Sequence, residues 1–211
     1  MYMNLTTISK KYGTDKVSHG FTQFYDSILN KRKDKIKNLL EIGILNGASL
    51  FSWNDYFPEA KIYGIDNIEK NIKNDNIITF KGNQQNINFL NEIIHKTGNF
   101  DIIIDDGSHN MDHQQISFGH LFKNINSGGF YIIEDLHTST DFYSNKRNFN
   151  RNNNKSNSTL KMIFNYIETK KIKSEYLDND TCKYIEKNIS KCYIFHNNTN
   201  KCSITAIFQK K

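Results

Sequence analysis

The segment FDIIIDDGSHNMDHQQ, residues 100–115, carries two adjacent acids and a histidine directly after a run of apolar residues. The apolar run is typical of a buried strand, so Asp105 and Asp106 stand at its end and His109 lies in the loop that follows. Burying a carboxylate is costly unless it is protonated, paired with a cation or bound to a metal. The acids of this loop therefore require a partner.

A second acidic pair ends another apolar run, GGFYIIEDLH at residues 128–137. The carboxyl ends of parallel strands lie side by side, so Asp106, Glu134 and Asp135 are expected to converge at one crevice. Three carboxylates repel one another unless a divalent cation lies among them, and oxygen ligands favour Mg²⁺ over Mn²⁺ or Ca²⁺. These acids are the predicted metal ligands, and a set in which His113 or His137 joins them is the alternative.

His109 is the predicted general base, with Asp106 beside it in the catalytic centre. Imidazole exchanges protons readily near neutral pH, and a metal lowers the pKa of a hydroxyl that it binds. Two simpler interpretations compete with this site. Asp106 could cap the next helix, and Glu134 could pair with a lysine.

The segment LLEIGILNGASL, residues 39–50, follows the first apolar run with Glu41, Gly43 and Gly47. Gly43 permits a tight turn and close approach of a ligand, and Gly47 lets the next helix begin. A dinucleotide fingerprint would need glycine where Leu45 and Ala48 stand, and the lysine of a P-loop is absent from this loop. A cofactor with an amino-acid end suits the loop better, because Glu41 would repel phosphate and attract an ammonium group.

The next apolar run ends GID, which places Asp66 where a carboxylate can accept hydrogen bonds from both hydroxyls of a ribose. Taken singly, these glycines and acids are ordinary turn residues. In this order, each just beyond a predicted strand, they predict a site for a nucleoside cofactor.

Apolar runs alternate with amphipathic segments from residue 38 onward, which indicates an α/β fold with parallel strands. The predicted strands span 38–44, 61–66, 77–80, 101–105 and 130–135, and the predicted helices span 49–56, 86–96, 112–124 and 160–169. Two β-rich segments around the turn NNTN, residues 197–200, predict a C-terminal antiparallel hairpin. The Asn-rich segment 148–159 is too polar to be buried, so we expect a mobile loop that governs acceptor specificity.

Composition limits the class of protein. A chain of 211 residues with a net charge of +6 fits one domain with a mildly basic surface. We expect no nucleic-acid partner and no membrane span, because basic residues are not interleaved with aromatics and no apolar run is long enough. Cys182, Cys192 and Cys202 match no metal-binding spacing, so they are expected to be reduced thiols, two of them on strands, in a cytoplasmic protein.

The motifs LLEIGILNGASL, IYGID, IIIDDGSH and GGFYIIEDLH together resemble class I S-adenosylmethionine-dependent methyltransferases. Within that class the chain is similar to the metal-dependent macrolide-sugar O-methyltransferases of the mycinamicin and macrocin type. The opening KYGTDKVSHGFTQFYDSIL is also similar to that group, and the resemblance covers roughly residues 11–137. It implies a Rossmann-like methyltransferase sheet, S-adenosylmethionine and Mg²⁺ as cofactors, and His109 as the base.

The resemblance also implies a set of cofactor contacts. They come from Glu41, Gly43, Ser49, Asp66 and Asp105, and from an N-terminal lid that carries Thr14, Lys16 and His19. One departure is the segment GNQQN, where the family pattern has an acid near the adenine. Asn83 and Gln84 supply amides there instead.

The expected domain plan is a lid segment at 1–35, a cofactor-binding core at 36–136, a mobile loop and helix at 137–170, and the hairpin region at 171–211. The expected function is Mg²⁺-dependent O-methylation of a sugar, a sugar nucleotide or a surface-polysaccharide precursor. The alternatives are methylation of a catechol-like or phosphate-type acceptor, a metal-dependent hydroxylase or hydrolase, and a non-catalytic cofactor-binding module. A small-molecule acceptor is expected, and a homo-oligomer is compatible with the sequence.

Overall fold

A seven-stranded sheet forms the centre of the computed structural model, which describes residues 3–140, 157–197 and 203–211. The strands are β1 (Asn38–Ile42), β2 (Lys61–Asp66), β3 (Ile77–Lys81), β4 (Phe100–Asp105), β5 (Ile125–Ile133), β6 (Ile189–Asn197) and β7 (Ser203–Lys210). Their order is β3-β2-β1-β4-β5-β7-β6. The first five are parallel, whereas β7 runs antiparallel to both β5 and β6. The predicted α/β fold, a mostly parallel Rossmann-like sheet with an antiparallel hairpin, is confirmed.

Helices cover both faces of the sheet. They are α1 (Leu5–Tyr12), α2 (Phe21–Leu29), α3 (Ala48–Tyr56), α4 (Ile87–Thr97), α5 (Met111–Leu121), α6 (Thr159–Thr169) and α7 (Asn179–Asn188), with short 3₁₀ turns at Asp15–Val17, Asn30–Lys35, Phe122–Asn124 and Leu136–Ser139. Side chains of α1, α2 and α3 share one apolar cluster with the sheet, and those of α4 to α7 share the other.

Successive residues of the central strands enter opposite clusters. In β4, Ile102 and Ile104 face α1 to α3, whereas Ile103 faces α4 to α7, and all three are fully buried. A parallel strand covered on both faces needs apolar residues at every position, which is why these segments are continuous apolar runs. The polar residues are consequently displaced to the strand ends.

Several helices begin at a side-chain cap. Asn86 accepts a hydrogen bond from the backbone N–H of Phe89 at the start of α4, and Asp178 caps α7 in the same way through Thr181 N–H. Such caps satisfy backbone donors that have no partner within the helix. Helix α7 is an addition to the predicted elements.

Other boundaries also differ from the predictions. Helix α5 ends at Leu121 and residues 122–124 form a 3₁₀ turn, while β5 begins at Ile125 rather than at residue 130. Cys192 lies on β6, but Cys182 lies on α7, and both are free thiols.

Parts of two predicted segments lie outside the described residues. Of the predicted loop 148–159, the structure describes only residues 157–159. Of the turn 197–200, it describes only Asn197. Cys202 is outside as well. No helix in the described ranges has the length and apolar character needed to cross a membrane.

Candidate active site

A cleft lies at the carboxyl ends of β1, β2 and β4. It consists of two cavities, of about 450 and about 200 Å³, that share Gly43, Asp66, Asn67 and Gly107 in their walls. Residues 13–16 of the N-terminal segment line the larger cavity. This position is where ligands bind in open α/β sheets.

The β1 loop is shaped by glycines and closed by a buried acid. Gly43 has a φ of +92°, and a Cβ at that position would collide with the backbone carbonyl of Asp106. Gly47, with a φ of +85°, precedes α3. The buried Glu41 accepts a hydrogen bond of 2.7 Å from the hydroxyl of Ser49, and its burial raises the pKa of the carboxyl despite a nearby lysine.

Asp66, at the end of β2, organises the same loop. Its carboxylate accepts hydrogen bonds from the backbone N–H groups of Ile44 (3.0 Å), Leu45 (3.3 Å) and Ile68 (2.9 Å). Burial opposes ionisation, but the N–H groups of Ile68 and Ile44 and the ammonium of Lys70 together outweigh it, so the pKa of Asp66 is lowered. An ionised carboxylate therefore lines both cavities, and its contact with a ribose remains a prediction.

Asp105 lies in the protein interior and is not among the residues that line the cavities. It accepts hydrogen bonds from Gln84 Nε2 (3.0 Å) and Ser117 Oγ (2.7 Å), and burial raises its pKa. Gln84 Oε1 in turn accepts from the backbone N–H of Ser108 at 2.8 Å. Gln84 lines the smaller cavity together with Asn83, yet its amide already supports the loop after β4.

Three of the predicted site residues come together. Asp106, His109 and Asp135 each offer a ligand atom, and these atoms lie within 4.8 Å of one another. His109 Nε2 is 3.5 Å from Asp135 Oδ2. Both His109 (φ 57°) and Asp135 (φ 55°) have left-handed backbones, which in residues other than glycine are strained and concentrate at functional sites.

The polar atoms of this cluster are suited to a cation. Asp135 Oδ1 and His109 Nδ1 are buried and have no hydrogen-bond partner among the described residues. Buried polar atoms are normally satisfied, so the unpaired Oδ1 of Asp135 fits a site that binds a cation. The carboxylates of Asp106 and Asp135 are the hard oxygen donors that Mg²⁺ prefers.

Glu134 is held differently from the other two predicted metal ligands. Its carboxylate lies 2.8 Å from Lys16 Nζ and accepts a hydrogen bond of 2.9 Å from the Tyr25 hydroxyl. The interpretation that Glu134 pairs with a lysine therefore holds in this structure. Burial raises the pKa of Glu134 well above its usual range, and the ammonium of Lys16 offsets this effect only in part.

Lys16 is a buried cation that serves three acids. Its Nζ lies 2.5 Å from Asp106 and 3.2 Å from Glu41, in addition to Glu134. Burial alone would lower the pKa of Lys16, but the carboxylates of Asp106, Glu134 and Glu41 raise it well above its usual range. Thr14 lines the larger cavity and caps the 3₁₀ turn that carries Lys16.

Histidines also surround Asp135. His137 Nδ1 is 3.8 Å and His19 Nδ1 is 3.9 Å from Asp135 Oδ1, so His137 lies close to the acids without completing a ligand set. His113 instead lies 2.8 Å from the hydroxyl of Ser108 and lines the smaller cavity. The predicted alternative in which His113 binds the metal is not supported by this geometry.

Residues 33–190 match the family described as a methyltransferase domain. The chain therefore belongs to this family.

Among its relatives, the chain is 32% identical to mycinamicin VI 2''-O-methyltransferase of Micromonospora griseorubida, over 92% of this chain and 51% of that protein. It is 36% identical to demethylmacrocin O-methyltransferase of Streptomyces fradiae, over 64% of this chain and 37% of the relative. The chain thus spans about half, or less, of the length of these curated relatives.

A solved structure supports the same grouping. The methyltransferase MycE of the mycinamycin biosynthetic pathway, in complex with Mg, SAH and mycinamycin VI, matches with a TM-score of 0.79 and 29% identity. The match covers 99% of this chain and 54% of that chain. The resemblance predicted from the four sequence motifs is confirmed.

Proposed function

We propose that this protein is an S-adenosylmethionine-dependent O-methyltransferase that uses Mg²⁺ and acts on a hydroxyl of a sugar-bearing small molecule. One observation carries the proposal. A single cleft connects the glycine loop and Asp66 to the cluster of Asp106, His109 and Asp135. The relatives named above are O-methyltransferases, which supports the same reaction.

The cofactor would lie along the two cavities. Its ribose would approach Asp66, which lines both, and its adenine would lie in the smaller cavity beside Asn83 and Gln84. Its amino-acid end would lie in the larger cavity, near Ser49 and the N-terminal segment. The sulfonium methyl would then point towards the acids at the ends of β4 and β5.

Asp106 and Asp135 are the residues that would hold the metal, with Glu134 as the third acid that the sequence predicts. At this position Mg²⁺ would supply Lewis-acid chemistry, which makes an acceptor hydroxyl easier to deprotonate. His109 would take the proton of that hydroxyl, and Asp135, 3.5 Å away, would orient its imidazole. Alignment of the two reactants contributes about 7 to 11 kcal/mol in favourable cases, and a general base adds roughly 10² to 10⁴-fold.

The names of the relatives support a class of acceptor. Their names refer to mycinamicin, to macrocin and to rhamnosyl and olivosyl compounds, that is, to glycosylated small molecules. A surface-polysaccharide precursor has no support among them. We therefore favour a sugar hydroxyl on a small molecule over a catechol-like or phosphate-type oxygen.

The first test is calorimetric titration with S-adenosylmethionine, with and without Mg²⁺, using NAD as the control ligand. Micromolar binding of S-adenosylmethionine and none of NAD is expected. Methyl transfer is then measured with a glycosylated macrolide, a sugar nucleotide and a catechol. Absence of cofactor binding would refute the function, and transfer to the catechol alone would refute the acceptor class.

A further inference from the structure

Lys16 occupies the place of a cation among the acids of the site. Its side chain is 3% exposed, and its Nζ contacts carboxylates from three parts of the sheet. Two of these carboxylates, Asp106 and Glu134, are predicted metal ligands. An ammonium group and a divalent metal ion therefore compete for these two carboxylates.

The two cations cannot occupy the same carboxylate oxygens. Lys16 Nζ lies 2.5 Å from Asp106 Oδ2 and 2.8 Å from Glu134 Oε2, which are hydrogen-bond distances. A metal bound to the same oxygens would lie within a few ångströms of the ammonium, where like charges repel strongly in a site shielded from water. Binding of the metal through Asp106 Oδ2 and Glu134 Oε2 requires Lys16 to move away.

Movement of Lys16 would change the wall of the larger cavity, because Lys16 lies in the N-terminal segment that lines it. Lys16 lies on the 3₁₀ turn Asp15–Val17 between α1 and α2, and residues 13–16 form part of the wall of the larger cavity. A second anchor holds the segment, because His19 Nδ1 lies 2.6 Å from the hydroxyl of Ser203 on β7. Displacement of Lys16 would thus alter the cavity wall while the anchor at His19 remains.

We propose that Lys16 is a built-in counter-cation that competes with the divalent metal for Asp106 and Glu134 and thereby couples metal binding to the docking of residues 13–17. This inference rests on the proposed metal site. The inference adds to that site a residue, Lys16, that competes with the metal for its ligands. In the metal-free protein the lysine keeps the acids from repelling one another, and the metal takes over this role when it binds.

The test measures Mn²⁺ affinity by calorimetry and by the electron paramagnetic resonance signal of free Mn²⁺, without S-adenosylmethionine, in the wild type and in Lys16→Met. Loss of the competing ammonium is expected to tighten Mn²⁺ binding by at least about tenfold. Lys11→Met is the matched control, since it removes a lysine from an exposed ion pair with Asp55 on the same N-terminal segment. Its Mn²⁺ affinity should equal that of the wild type.

A second measurement does not depend on the folding of Lys16→Met. In the wild type, hydrogen exchange of the backbone amides of residues 14–17 should become faster on addition of Mn²⁺. Equal or weaker Mn²⁺ binding by a folded Lys16→Met, or unchanged exchange in a wild type that binds Mn²⁺, would overturn the role of Lys16. Absence of Mn²⁺ binding in both proteins would overturn the role of Lys16 and the metal site together, whereas the cofactor titration tests methyl transfer separately.

Discussion

The substitution Gly43→Ala tests whether the β1 loop and the β4 loop are fitted to each other at the centre of the cleft. An added Cβ would lie 2.7 Å from the carbonyl carbon of Asp106 and 3.1 Å from the Cα of Gly107, short of ordinary van der Waals contact. Each loop is held in place by a backbone hydrogen bond, so neither can shift without breaking one. Gly43 N–H donates to Ile65 at 2.8 Å, and Asp106 N–H donates to Ile42 at 2.9 Å.

The expected decrease in the free energy of unfolding of Gly43→Ala has two parts. A left-handed backbone at a residue with a Cβ costs about 1 to 2 kcal/mol, and overpacking against fixed atoms adds about 1 to 3 kcal/mol. For a chain of this size, the combined loss of about 2 to 5 kcal/mol lowers the melting temperature by roughly 4 to 20 °C. Because Gly43 lines both cavities, we also expect binding of S-adenosylmethionine to weaken at least about tenfold.

Gly13→Ala is the matched control for stability. Gly13 is also left-handed, with a φ of 72°, but a Cβ there would have no atom of the described residues within 4 Å. The free energy of unfolding of Gly13→Ala should fall only by the cost of the left-handed backbone, about 1 kcal/mol. The assay is thermal unfolding by calorimetry, followed by cofactor titration of Gly43→Ala below its melting temperature. Equal melting temperatures for the two variants would show that the collision does not exist and would refute the reasoning.

Three further predictions concern the site and one thiol. Asp106→Asn should abolish Mg²⁺-dependent turnover while leaving cofactor affinity nearly unchanged, and turnover equal to the wild type would contradict the metal assignment. His109→Gln should lower the single-turnover rate of methyl transfer by roughly 10² to 10⁴-fold with cofactor binding retained, because a base is needed only for the chemical step; a rate within a factor of two would remove the base from His109. Burial raises the pKa of the Cys192 thiol to about 12, so at pH 8 its alkylation by iodoacetamide should be roughly 10³-fold slower in the folded than in the unfolded protein, as followed by mass spectrometry, and equal rates would place the thiol in solvent.

The succession of strands along the chain and the position of the cleft could be predicted from the sequence because both depend on local signals. Continuous apolar runs mark strands covered on both faces, and polar residues directly after them mark the sheet edge. Asp106, His109 and Asp135 converge as expected for that reason. The start of β5 could not be found, since SGG at residues 127–129 is typical of a turn, yet Phe100 and Ile125 are paired across the β4–β5 ladder.

The partners of the buried acids could not be predicted, because their contacts join residues far apart in the sequence. Lys16 and Glu134 are separated by 118 positions, and Tyr25 and Glu134 by 109. The hydrogen bonds that hold Asp105 inside the protein come from Gln84 and Ser117, which no spacing pattern connects to it. Helix α7 was missed because its sequence is polar, with only Cys182 and Ile185 buried.

The strand order determines when the N-terminal segment can complete its contacts during synthesis. Strand β7 follows β6 in the sequence but lies between β5 and β6 in the sheet. It also supplies Ser203, beside His19, and Thr205, whose hydroxyl is 3.2 Å from that of Tyr25. His19 and Tyr25 are synthesised before β7, so their contacts with Ser203 and Thr205 can form only after β7 has been made. The N-terminal segment therefore gains its full set of contacts only after β7 has joined the sheet.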